Sequence, residues 1–200
     1  MFKKALLVLA LLLAAVLPMG VRSASATSIS VTHFSNGYAS AQWYQSSPCS
    51  YSNVYVQAAT KTQGGGPTIW VYIYGYNWCT SEYFSLGTSA PITGSFNVSR
   101  KATDASLNTT VHVYNYATNS QVPLTLALNW TNTSAPVTTK NSYTVSYPGY
   151  RSSTTLDGTQ ASAQATGSIT DNNGFDYTLG QPSSYGSLGF VRNGSVTHYS

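Results

Sequence analysis

The sequence predicts an all-β chain, an antiparallel β-sandwich with a β-barrel as the alternative. Three observations carry this. Beyond residue 26 the apolar side chains recur at every second position and nowhere with helical spacing. Gly, Pro, Asn and Ser punctuate that pattern at short intervals. Each alternating segment has one aliphatic or small face, as two sheets packed face to face require, although a closed sheet shares the same period.

The first 26 residues read differently. Lys3 and Lys4 precede an apolar run from Ala5 to Leu17, Pro18 and Gly20 break it, and Ala24-Ser25-Ala26 supplies small residues at a cleavage site. This is the pattern of a secretory signal peptide. The run falls short of the about 20 residues that span a bilayer, so no stable membrane anchor is expected after cleavage. Residues 27–200 are expected to form a single β-sandwich domain, secreted or held in the cell envelope.

The strands follow in order. Ser28–Phe34 and Tyr38–Gln45 come first, the second with Ala39, Ala41 and Trp43 on one face. In Ser52–Thr60, Val54, Val56 and Ala58 oppose Tyr55. Thr68–Cys79 separates into Ile69, Val71, Ile73, Gly75, Asn77 and Cys79 against Trp70, Tyr72, Tyr74, Tyr76 and Trp78, because alternate residues of a strand face opposite ways. The aliphatic set, and Cys79 with it, is expected inside and the rings outside. Glu82–Leu86 sets Phe84 and Leu86 against Tyr83, and Gly94–Ser99 lies within Thr88–Ala105, read as a long connection between the two halves of one domain. Leu107–Tyr116 sets Leu107, Val111 and Val113 against His112, Tyr114 and Tyr116. Val122–Thr131 is apolar at Val122, Leu124, Leu126, Leu128 and Trp130. Tyr143–Tyr147 comes next, then Thr159–Ile169 with a thin core of Ala161, Ala163 and Ala165, then Phe175–Leu179. Leu188–Arg192 and Ser195–Tyr199 are expected to form a hairpin about Asn193-Gly194, since both residues accept positive φ.

Composition narrows the function. Without the leader, six basic residues face five acids, a net charge of +1, so nucleic acid is not an expected partner. Charged residues make up 7% of the chain, where globular proteins average about 25%. Cys49 and Cys79 are expected to form one disulfide in an exported chain. Asp171–Asp176 lacks the glycine and glutamate spacing of a calcium loop and reads as a turn. His33, His112 and His198 fall at no metal-ligand spacing, so neither metal nor cofactor is expected. No nucleophile elbow and no paired carboxylates occur, and Glu82 is the lone glutamate, so the chain reads as non-enzymatic.

What stands out is the aromatic parity. Trp70, Tyr72, Tyr74, Tyr76 and Trp78 share a face, with Tyr38, Tyr44, Tyr55 and Tyr83 on neighbouring strands. Tyr and Trp give large contact area at low entropic cost. The expectation is a ligand-binding face for a polysaccharide or another cell-surface component. Two other readings stay open: a self-associating structural protein whose edges lack guarding charges, and an extracellular hydrolase or an inhibitor acting through a loop such as Gly64–Pro67.

Overall fold

The computed structural model describes residues 28–61, 65–171, 176–179 and 182–199, so residues 1–26, where a signal peptide is expected, lie outside the described residues. Eleven strands occupy them: β1 (Ser28–Ser46), β2 (Ser50–Ala59), β3 (Thr68–Asn77), β4 (Glu82–Pro91), β5 (Ser95–Val98), β6 (Asp104–Asn115), β7 (Ser120–Asn132), β8 (Val137–Tyr147), β9 (Tyr150–Asp171), β10 (Asp176–Leu179) and β11 (Tyr185–Tyr199). All pairings are antiparallel.

One layer runs β11–β1–β2–β3–β4 and the other β5–β6–β7–β9–β10. The layers face each other across the core. The Trp130 indole N–H on β7 donates to the Ser40 carbonyl on β1 at 2.9 Å. Val98 on β5 comes so close to Gly37 on β1 that a Cβ there would lie 2.9 Å from it. The layers also join at both sides. β9 pairs with β11 through its first half and with β7 through its second, and β4 meets β6 at Leu86↔Asn115 and Gly87↔Tyr114. Gly167 on β9 has φ 137°, and a Cβ there would collide with the Ala127 carbonyl, so that pairing with β7 admits glycine only.

The interior is aliphatic, as alternation predicts. Ala39, Ala41 and Trp43 pack with Val54, Val56, Ala58, Ile69, Val71 and Ile73 from one layer. Leu107, Val111, Val113, Leu124, Leu126, Leu128, Trp130, Ala161, Ala163 and Ala165 face them from the other.

Beyond this body the sheet continues as a blade. The first part of β1, all of β8, the first half of β9 and the second half of β11 pair in the order β8–β9–β11–β1. Ile29, Val31, Val137, Tyr143, Val145 and Tyr147 are exposed there, and β8 is exposed along its whole length.

Three sequence expectations are corrected. Asn193-Gly194 makes no hairpin, because each residue is paired on both sides, with Phe34 and His33 of β1 and with Leu156 and Thr155 of β9. β11 therefore runs unbroken, as does β1 across the break expected after Phe34. A tight hairpin turn forms instead at Pro148-Gly149, with Gly149 at φ 79°, where a type II turn takes Gly after Pro. Cys79 does not turn inward but is exposed. β3 ends at Asn77, whose side-chain oxygen accepts the N–H groups of Cys79 and Thr80 at 3.0 and 3.2 Å, and this turn ends the alternation.

Candidate functional site

The outer face of β1–β4 is built by register. Tyr55 pairs with Tyr72, Gln57 with Trp70, Tyr51 with Tyr76, and Tyr76 with Tyr83, so rings from neighbouring strands stand side by side. With Val54, Val56, Ile69, Val71 and Ile73 sealed beneath, these rings have only the outside left to face.

The rings form a connected cluster. Tyr44 and Tyr51 lie 6.4 Å apart at 25°, and Tyr51 and Trp78 lie 6.3 Å apart at 28°, a run of three nearly parallel rings across the sheet. Tyr51 meets Tyr74 edge-on at 6.2 Å, Tyr72 and Tyr74 are 5.2 Å apart, and Tyr55 meets Trp70 edge-on at 5.0 Å. Trp70 is 48% exposed, Trp78 46%, and Tyr44 and Tyr83 are exposed as well. Tyr51, Tyr55, Tyr72, Tyr74 and Tyr76 are half-buried.

Polar groups hold the rings. The side-chain amide of Gln42 donates to Asn53 Oδ1 at 3.2 Å, and Asn53 Nδ2 donates to the Tyr74 hydroxyl at 3.2 Å. Asn53 is buried beneath the cluster, where its amide is hydrogen-bonded on both sides, as a buried polar group requires. The Tyr55 hydroxyl donates to Gln57 Oε1 at 3.1 Å.

Trp78 is clamped by the disulfide Cys49–Cys79, which ties the β1–β2 turn to the β3–β4 turn with the two Cα atoms 5.3 Å apart. Its backbone N–H donates to the Cys49 carbonyl at 2.9 Å and its indole N–H to the Pro48 carbonyl at 2.8 Å. The disulfide therefore fixes an exposed ring as well as closing a loop.

Of the residues singled out from sequence, Trp70, Tyr72, Tyr74, Tyr76, Trp78, Tyr55, Tyr44 and Tyr83 all lie on this face. Tyr38 shares the parity but not the cluster. It lies over Gly189, where a Cβ would sit 2.6 Å from its ring, and its hydroxyl donates to Gln160 at 3.3 Å. Burial raises its pKa above the usual 10.0. Tyr51 was missed because the strand was expected to open at Ser52; its odd parity with Asn53 and Tyr55 is the signal that finds it. Gly87 carries the face round toward β6. A Cβ there would lie 3.3 Å from the Tyr72 ring and 3.5 Å from that of Tyr116, which in turn meets Tyr114 edge-on at 5.0 Å.

Titratable groups do not gather here. Glu82 accepts a hydrogen bond from the Thr80 hydroxyl at 2.9 Å beside the disulfide turn, and among the described residues no group of three His, Cys, Asp or Glu is placed to hold a metal ion. The fold and this face together define an antiparallel all-β protein that carries an open aromatic surface braced by a disulfide. No protein-family model, curated protein or solved structure matches the chain.

Proposed function

We propose that this chain is a secreted, non-enzymatic binding protein that takes carbohydrate, as polysaccharide or cell-surface glycan, on the aromatic face of β1–β4. The observation that carries this reading is the stacked run Tyr44–Tyr51–Trp78, with Trp78 held beside the disulfide by the Pro48 and Cys49 carbonyls and with Tyr51 edge-on to Tyr74, whose hydroxyl Asn53 holds from below. Exposed apolar surface held this rigidly is typical of a recognition site, since ordering it on binding costs little entropy. Sugar rings offer C–H faces that stack on such rings, and hydroxyls that reach Gln57 and the tyrosine O–H groups at the rim. The site is uncharged, so its affinity is expected to change little with salt.

The test is affinity electrophoresis and glycan-array binding of the mature chain against neutral polysaccharides. Trp70→Ala and Trp78→Ala are each expected to weaken binding at least tenfold. A blank array, or binding indifferent to both substitutions, overturns the reading.

A second reading rests on the blade. Among the described strands β8 pairs only with β9, and residues 28–35 of β1 only with β11, so both outer edges of the blade are free. Lys140 is the single charged residue along β8, and edges so lightly guarded recruit further strands. Joining β8 of one copy to β1 of the next would make a self-associating envelope or matrix protein. Light scattering at rising concentration tests it: growth in mass that Val145→Lys abolishes supports it, and a monomer throughout removes it.

A further inference from the structure

On the face of the blade that continues the core face, charged residues gather where the blade meets the body. Register places Ser35, Arg192, Asp157 and Lys140 in one row across β1, β11, β9 and β8, with the parity of buried Ala39, Leu188 and Ala161. His33, Lys61, Asp157 and Arg192 line a cleft of about 360 Å³. Asp157 and Arg192 also line a smaller hollow of about 70 Å³, together with Arg100 and Phe190. The two spaces adjoin at Asp157 and Arg192, which line both, and together they make up a basic depression.

Arg100 reaches this depression from the turn between β5 and β6, on the opposite layer. That turn is rigid. Ala102 is fully buried at φ 53°, its N–H donates to the Ser99 carbonyl at 3.0 Å, and the Thr103 hydroxyl donates to Ser99 Oγ at 2.9 Å. The guanidinium groups of Arg100 and Arg192 stand 5.9 and 5.7 Å from the centre of the same Phe190 ring. The ring attracts both. Their mutual repulsion remains, and Asp157 is the one carboxylate in the lining of either space, set against Arg100, Arg192 and Lys61. Six basic residues follow residue 26, and three of them line this depression while Lys140 flanks it.

We propose that this depression is an oxyanion-binding site, in which Arg100 and Arg192 grip a sulfate, phosphate or carboxylate group and Lys61 closes the charge at its rim. The planar donor fork of arginine matches such oxygens in a way lysine does not. Convergence from two layers makes the site dependent on the fold, since Arg100 and Arg192 are 92 positions apart. It lies away from the aromatic face and stands or falls independently of it.

The experiment is isothermal titration of the mature chain at low ionic strength, first with inorganic sulfate and inorganic phosphate. Saturable single-site binding is expected. Arg100→Gln and Arg192→Gln are each expected to weaken it at least tenfold while leaving the thermal unfolding midpoint unchanged. Arg151→Gln, on the same face but six residues along β9 from Asp157, is expected to leave affinity unaltered. A second arm compares a sulfated or uronic acid disaccharide with its neutral counterpart. Tighter binding of the charged sugar than of the inorganic ion assigns a saccharide source, and equal binding assigns the free anion. The proposal is overturned by the absence of saturable binding, by Arg100 and Arg192 variants that bind as the parent does, or by an equal loss in Arg151→Gln, which would mean diffuse charge without a site.

Discussion

The body and the blade are made from the same strands, and they behave differently. β1, β9 and β11 pass from one into the other without a break in hydrogen-bonded register. On β1, Val31 and Ala39 have the same parity and so face the same side of the sheet. Ala39 is wholly buried and Val31 is 53% exposed. Hydrophobicity would rank them the other way. What separates them is the opposite layer, which covers Ala39 and stops short of Val31. Pairing alone extends a sheet, but only a second layer makes one of its faces a core.

This contrast can be broken by measurement. Leu126→Ala in the body is expected to cost about 2–5 kcal/mol in urea unfolding, through lost burial and the cavity left behind, while Val31→Ala in the blade stays within about 0.5 kcal/mol. A comparable loss at Val31 would mean that the blade is packed against something in solution. Replacing both cysteines by alanine opens a closure of 30 residues and should lower stability by about 3.5 kcal/mol. The near-ultraviolet circular dichroism of Trp78 should weaken in the same variant; an unchanged spectrum would show that Asn77 and Pro48 hold the ring unaided.

Smaller effects sharpen the comparison. Trp130→Phe removes the indole bond to the Ser40 carbonyl between the layers and should cost about 1–3 kcal/mol. Thr32→Val removes the exposed bond between the Thr32 and Ser195 hydroxyls in the blade and should cost next to nothing by the same assay. Tyr38 stands where the two regions meet. Burial raises its folded pKa above 10.0, so the proton is held more tightly in the folded state. The associated stability is complete below pH 10 and is lost as pH rises through the folded value. Tyr38→Phe should lack that component of alkaline loss, and identical pH profiles would show that the hydroxyl is not perturbed in solution.

Much was legible in the residues because a strand has only two faces. The split of Thr68–Asn77 into Ile69, Val71 and Ile73 beneath and Trp70, Tyr72, Tyr74 and Tyr76 above follows from period two alone, and so does the apolar face of β7. Turn chemistry was less legible. Asn193-Gly194 has the composition of a tight turn, yet its flanks find partners in β1 and β9 and not in each other. Cys79 followed parity only on the premise that β3 continued, and the Asn77 side chain ended it. Tyr51 fell outside the expected strand by a single residue, and with it the centre of the ring cluster.

The sequence by itself determined which side chains share a face, that the chain is all-β and that Cys49 and Cys79 are its only pair, because alternation is a local property of extended backbone. Tertiary structure decided which stretches of those faces are covered, which strands neighbour one another, and that Arg100 meets Arg192 over one phenylalanine. Those outcomes depend on contacts between residues far apart in the chain, and no local pattern encodes the distance between them.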